Sequence, residues 1–252
     1  MTPDFDVTSG GIRVMWGLYG SLLAKGQIAY INAKFPTDDF IAIYPEIVRG
    51  NPLGAKYVVR YILNKPGVMS SGGLSGPTEF DPTDKLVYFS RLFGQAKKES
   101  EYMFLPILNT HLFKDRHKKR TQKAVFFGKG LEYASLLAEP KHPASAVVID
   151  RSFAQDQQAL ADLLNECEVL YCYDPVTAMT ELARLCGCRI VMINPSYTKD
   201  EFKHYEPGMN GISWGKDDGV PLDTKGFTKH YGDLRGEFAR ELHYFIEDTQ
   251  KL

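Results

Sequence analysis

The chain has 252 residues, 44% of them hydrophobic and 24% charged, and its formal net charge is −1. That length suits one large domain or two small ones, and the near-neutral charge argues against a dedicated nucleic-acid binder, which carries a basic excess. No apolar run approaches the roughly 18–20 residues of a membrane span, and "MTPDFDVTSGG" lacks the basic and apolar regions of a secretory signal, so a cytoplasmic location is expected.

In chain order, "GGIRVMWGLYGSLLAKG" (10–26) reads as a helix: Ile12, Met15, Trp16, Tyr19 and Leu23 follow helical spacing and Gly26 is a stop. "QIAYIN" (27–32) and "FIAIYPEIV" (40–48) read as strands. "NPLGAKYVVRYILNKPG" (51–67) reads as a helix, with Asn51 as cap, Pro52 in the first turn and an apolar stripe of Ala55, Val58, Val59, Ile62 and Leu63. "SSGGLSGP" (70–77) lacks the Lys-Ser/Thr ending of a phosphate loop and reads as a mobile loop. "KLVYFS" (85–90) and "YMFLPIL" (102–108) read as further strands. "KDRHKKRTQK" (114–123) is rich in Lys and Arg but has no interleaved aromatics, so it reads as a solvated linker at a domain boundary.

The second half alternates more regularly. A strand with a glycine turn at 124–130 and strands at 145–150, 169–174 and 189–194 are separated by helices at 131–139, 154–167 and 175–187, the rhythm of a parallel α/β sheet. "GDLRGEFARELHYFIEDTQ" (232–250) is an amphipathic helix with Leu234, Phe238, Leu242 and Phe245 on one side. The expected fold is therefore α/β with two small Rossmann-like domains: residues 1–115, residues 116–232, and a closing helix at 233–252.

Four cysteines, Cys167, Cys172, Cys186 and Cys188, fall in one region, but their spacings are not the paired C-x2-4-C of zinc sites. Buried, reduced thiols are expected, with no metal. The six histidines show no H-E-x-x-H pattern, and no G-x-S-x-G hydrolase elbow is present.

Ligands of open α/β sheets bind beyond the carboxyl ends of the strands. The loops that matter are then "GKG" (128–130), "YDP" (173–175), "PE" (45–46) and, if a strand precedes it, "TSGG" (8–11). "NGISWG" (210–215) reads either as cleft lining or as an ordinary turn anchored by Trp214. Asp174 and Pro175 have the chemistry of a helix N-cap and first residue, and Gly187 that of a stop. Thr177 then falls in a first turn, where free amides and the helix dipole favour an anion, and Glu181 follows one turn later on the same face. A hydroxyl with amides suits a diphosphate, and a carboxylate one turn deeper suits ribose hydroxyls. The same spacing also fits a solvent-facing polar stripe of Thr177, Glu181 and Arg184.

"YDPVTAMTELARLCGCRIVMI" resembles the donor-site region of retaining GT-B glycosyltransferases: a strand, a turn, a helix carrying a glutamate, and then Gly-Cys before an apolar strand. "FFGKG" resembles the strand and turn that opens their donor domain, "TSGG" the glycine-rich loop of their acceptor domain, and 44–67 a segment of bacterial polysaccharide enzymes of this type. The resemblance implies a GT-B-like arrangement, two Rossmann-like domains whose parallel sheets face across a cleft. It implies transfer of a sugar from a nucleotide diphosphate donor, a UDP or dTDP sugar with rhamnose among the candidates, to a hydroxyl of a growing glycan. Transfer would proceed with retention, without a metal and without a further cofactor. Partners would be the nucleotide-sugar donor and a glycan acceptor, with peripheral membrane contact and no nucleic acid. By the same resemblance Lys129 and Glu181 are the catalytic candidates. Gly128, Lys129, Gly130, Tyr173, Asp174, Thr177 and Glu181 would bind the donor, and Gly10, Gly11 and Glu46 would lie on the acceptor side. The sequence departs from the family where its motif places a second glutamate ahead of the first: Tyr173 stands there, with Asp174 adjacent, and no strand is evident before Gly10. A non-catalytic nucleotide-sugar-binding module, or a domain of a multifunctional glycan-assembly protein, is the alternative reading.

Overall fold

Strand–helix alternation demands parallel pairing, and in both larger sheets every described strand runs parallel to its neighbours. The computed structural model describes residues 4–31, 39–68, 70–71, 74–193 and 196–252. The chain divides into two compact units. The first is Met1–Ile107 with His204–Glu206 and Asp233–Leu252, and the second is Leu108–Lys203 with Pro207–Gly232.

In the first unit, α1 (Gly10–Ala24) starts at Ser9, whose hydroxyl accepts from the Ile12 amide, and stops at Gly26, which takes φ +75°. Three strands, β1 (Ile41–Pro45), β2 (Tyr57–Ile62) and β5 (Lys85–Tyr88), form a sheet in that order. A separate antiparallel pair, β3 (Ser70–Ser71) and β4 (Leu74–Ser75), lies where a mobile loop is expected; residues 72–73 between them lie outside the described residues. Val14 and Leu18 of α1 pack with Val59, Tyr61, Val87 and Met103, and with Phe238, Leu242 and Phe245 of the closing helix.

Three first-unit expectations are corrected. The helix expected over 51–67 is a turn followed by β2. Asn51 does not cap a helix: its Oδ1 accepts from the Ala55 amide and its amide donates to the Ala55 carbonyl, closing the loop. Tyr57, Val58, Val59, Tyr61 and Ile62 are β-branched or aromatic residues that favour a strand, and their near-complete burial on both faces hides the alternation a strand otherwise shows. Gln27–Ile31 is not a strand, because among the described residues it pairs with nothing; Asn32, the last residue of that expected strand, lies outside them. Residues 102–108 contribute one bridge, Tyr88 to Tyr102, rather than a ladder. No strand occurs in residues 4–9 ahead of α1.

The second unit carries a five-stranded sheet in the order β10-β9-β8-β6-β7: β6 (Gln122–Phe126), β7 (Val147–Ile149), β8 (Cys167–Cys172), β9 (Arg189–Met192) and β10 (Ile212–Trp214). Helices α2 (Leu131–Ser135), α3 (Gln157–Glu166), α4 (Met179–Leu185) and α5 (Lys199–Phe202) connect them. The basic stretch 114–123 is not a solvated linker but lies inside this unit. Arg116 pairs with Asp162, and Arg120 with Asp115 at 2.6 Å, while Arg120 also donates to the Asn165 and Cys186 carbonyls at 2.9 and 2.7 Å. Within residues 210–215, Ile212–Trp214 form β10, with Trp214 against Phe202. The closing helix α6 (Thr224–Thr249) begins eight residues ahead of the expected start; its first part belongs to the second unit and its remainder to the first.

All four cysteines are buried and free, and burial pushes the Cys167 and Cys186 thiols up to about 12, so they are inert small hydrophobes. Among the described residues no cluster of His, Cys, Asp and Glu is arranged for a metal, and no helix is long and apolar enough to cross a membrane.

Candidate functional site

The order β10-β9-β8-β6-β7 contains a reversal. The chain leaves β6 toward β7 on one side, returns to β8 on the other, and continues outward through β9 and β10. In open α/β sheets, ligands bind at the carboxyl ends of the two central strands of such a switch point. The two loops here are Phe127–Gly130 after β6 and Tyr173–Ala178 after β8, which are the two stretches the sequence singles out.

Their backbone is drawn together by glycine. Gly128 takes φ +50°, a conformation that a side chain disfavours. A methyl group at Gly130 would lie 2.0 Å from the Tyr173 carbonyl oxygen, so only glycine allows the two loops to pass this closely. The Tyr173 amide in turn donates to the Phe126 carbonyl at 2.9 Å, extending the ladder past β8.

This approach sets Lys129 against Asp174. Asp174 is 2% exposed, and its Oδ2 accepts from the Lys129 amide at 3.1 Å and from Lys129 Nζ at 2.7 Å, while its Oδ1 accepts from the Val176 amide at 3.2 Å. Lys129 Nζ also donates to the Val176 carbonyl at 2.7 Å, and its side chain remains 40% exposed. The result is a half-exposed cation fixed at the carboxyl edge of the sheet by a buried carboxylate. Charge-assisted bonds of this kind hold geometry better than neutral ones.

The expected cap role of Asp174 is corrected by this contact. With Oδ2 committed to Lys129, the helix does not start at Pro175: residues 174–177 form an irregular turn and α4 starts at Met179. Thr177 therefore precedes the helix, where its Oγ1 accepts from the Met179 amide at 3.3 Å, and it does not share a helical face with Glu181. The solvent-facing stripe is corrected too. Every residue of α4 is buried, Glu181 at 2% and Arg184 at 0% exposure. Arg184 donates to the Gly208 and Asn210 carbonyls at 2.8 and 3.2 Å and lies 4.1 Å from the centre of the Phe227 ring, so it pins the 207–210 loop.

Two residues escape the sequence, His142 and Tyr197. Tyr173 is wholly buried, and its hydroxyl accepts from the Lys141 amide at 3.0 Å and lies 2.9 Å from His142 Nδ1; Phe127 stacks at a tilt 5.2 Å from the Tyr173 ring. Burial lowers the His142 pKa from its usual value. Tyr197, after β9, is 6% exposed, and among the described residues its hydroxyl has no hydrogen-bond partner. Burial, with Glu201 and Asp174 nearby, pushes that hydroxyl up to about 12. Neither residue carries a spacing signal, because each reaches the site through a loop.

The acceptor-side candidates gather separately, at the carboxyl edge of the first unit's sheet. Glu46, 3% exposed after β1, accepts from the Leu63 amide at 2.9 Å just past β2. A Cβ on Gly11 would lie 3.7 Å from Leu63 Cδ1, and one on Gly10 would meet nothing within 4 Å, so the first turn of α1 borders the same edge.

No protein-family model matches the chain, and no curated protein matches it. Among solved structures, it is similar to the spinosyn forosaminyltransferase SpnP, at 15% identity over 98% of this chain and 84% of that one, with a TM-score of 0.37. A likeness at that level carries no weight for the function, which rests on the geometry above.

Proposed function

We propose that the second unit binds a nucleoside diphosphate sugar at the β6/β8 switch point and that the chain is a glycosyltransferase acting on a glycan hydroxyl. The observation that carries the reading is Lys129, held by buried Asp174 at the one place in this sheet where an open α/β fold gathers a ligand. The amides of the Gly128–Gly130 turn and the Lys129 ammonium would face the diphosphate. When the bond between the sugar's anomeric carbon and the diphosphate oxygen breaks, its electron pair stays on the diphosphate. A preoriented cation stabilises that growing charge without a metal ion. The acceptor hydroxyl oxygen bonds to the anomeric carbon, and its proton passes to the departing diphosphate oxygen. Retention of configuration and a UDP or dTDP sugar, rhamnose included, belong to this proposal. Glu181 takes the ribose role only if residues 174–178 rearrange on binding, since it is 2% exposed as it stands.

A second reading is favoured by one observation: Asp174 already neutralises Lys129 and sets a carboxylate in a site meant for an anion. That suits a module that binds the nucleotide sugar without turning it over. A thermal-shift series with UDP, dTDP, GDP, CMP and NAD tests the reading. At one hundred times Kd a native-state ligand adds about 2.7 kcal/mol. A shift with one nucleoside diphosphate, lost in Lys129→Ala, supports it. Release of that diphosphate from its sugar when acceptor is added separates the transferase from the module. A shift with NAD alone, or with nothing, overturns both.

A further inference from the structure

Two donors of the Lys129 ammonium are committed within the protein, to Asp174 Oδ2 at 2.7 Å and to the Val176 carbonyl at 2.7 Å. An ammonium has three, so one N–H is left for a ligand. The chain makes room for the carboxylate that takes the first: a Cβ on Gly128 would lie 2.5 Å from Asp174 Oδ2, at a backbone φ of +50°. Phe127–Gly130 and Tyr173–Ala178 carry no charged side chain besides this pair, so the two loops together are neutral. A phosphate oxygen that accepts the third N–H at about 2.8 Å lies no more than about 5.5 Å from Asp174 Oδ2, since Nζ is itself 2.7 Å from that oxygen. Asp174 is 2% exposed, so water screens it poorly and its charge offsets much of the attraction that Lys129 exerts on a ligand.

Charge separates the two nucleotides that a sugar-transferring site meets. The diphosphate of a nucleotide sugar is esterified at both ends. The nucleoside diphosphate left after transfer has a free terminal phosphate, whose second ionisation near pH 6 adds about one negative charge at neutral pH. An uncompensated cation would therefore hold the product more tightly than the donor, and the product would block the site. We propose that Asp174 is the specificity determinant that removes this advantage: by cancelling the charge of Lys129 while holding its third N–H in place, it lets the site grip a sugar diphosphate without favouring the more highly charged product, which then leaves. This role of Asp174 rests on the proposed nucleotide site, and it accounts for a buried carboxylate beside the cation of an anion site.

Calorimetric titration of the intact chain at about pH 7.5 tests it, with UDP and the methyl ester of its terminal phosphate as probes, which differ by that one charge; dTDP and its ester replace them if only dTDP binds. Wild type binds the two within about threefold of each other. Asp174→Asn keeps the shape of the side chain and removes its charge, and there UDP binds about tenfold more tightly than its ester, a gain between the water and protein-surface limits of Coulomb's law at this distance. Asparagine cannot accept at both positions that the carboxylate serves, so thermal unfolding checks the fold of the variant, and the wild-type comparison stands without it. The role of Asp174 is overturned, with the nucleotide site intact, if wild type already prefers UDP to its ester by about tenfold or more, or if folded Asp174→Asn binds the two in the wild-type ratio. No binding of any of the four probes overturns the nucleotide site, and the role of Asp174 with it.

Discussion

Gly130→Ala tests the closest backbone approach in the candidate site. Its Cβ would lie 2.0 Å from the Tyr173 oxygen, 2.5 Å from the Tyr173 carbonyl carbon and 2.8 Å from the Tyr173 Cβ. Ordinary C···O contacts begin near 3.3 Å, so one partner must move by more than 1 Å. Tyr173 is ill placed to yield: its amide is bonded to Phe126 and its hydroxyl to Lys141 and His142. Gly130 itself has φ −87°, so backbone strain does not contribute and the cost is steric. Forcing a methyl into a filled space costs about 1–3 kcal/mol, and contact with fixed backbone belongs at the top of that range. For a chain of this size about 3 kcal/mol lowers the unfolding midpoint by roughly 6–12 °C. Thermal unfolding followed by circular dichroism measures it. Gly20→Ala is the matched control: exposed in the middle of α1 with nothing within 4 Å of its Cβ, it should raise stability by about 0.5–1 kcal/mol. If Gly130→Ala melts within a degree or two of wild type, the close packing of the β6 and β8 loops is wrong, and with it the placement of Lys129.

Arg184→Leu should cost about 3 kcal/mol in urea unfolding, because the carbonyls of residues 207–210 lose a buried charged donor; a loss under 1 kcal/mol would show that this loop is held elsewhere. Glu241 of α6 accepts from the Phe104 amide, and burial pushes its carboxyl up to about 7. A carboxyl whose folded pKa lies above its unfolded value binds more protons when folded, so its contribution is fully present below the unfolded value near 4.5 and is lost as pH rises to about 7. Stability measured across pH 4.5–7 should therefore fall less steeply in Glu241→Gln than in wild type; identical slopes would remove Glu241 as the cause.

Four of the second unit's five strands were legible in sequence because each is followed by a turn or helix with its own start or stop signals, from Gly128 to Gly187; the short β10 (Ile212–Trp214) was not. The first unit was less so. Residues 51–67 carry Asn-Pro at the front and apolar residues at helical spacing, but Tyr57–Ile62 is a strand buried on both faces, and periodicity does not separate that from a helix. Position identified the GKG and YDP loops correctly as neighbours at the carboxyl edge of the sheet. Local signals then misassigned Asp174, since nothing near it in sequence reveals that Lys129, 45 residues earlier, claims its carboxylate. Glu181 and Arg184 look like surface polarity on a helical wheel; only the fold brings the 207–210 carbonyls to Arg184.

The proposal of a nucleoside diphosphate site at the β6/β8 switch point stands or falls on where nucleotide binds. A nitrogen-edited NMR titration of the 28.4 kDa chain with UDP, and in parallel dTDP, tests it directly. Saturable shifts are expected at the amides of Gly128, Lys129 and Gly130 and of Val176 and Thr177, abolished by Lys129→Ala. Shifts confined to other residues, or none at millimolar nucleotide, would contradict it.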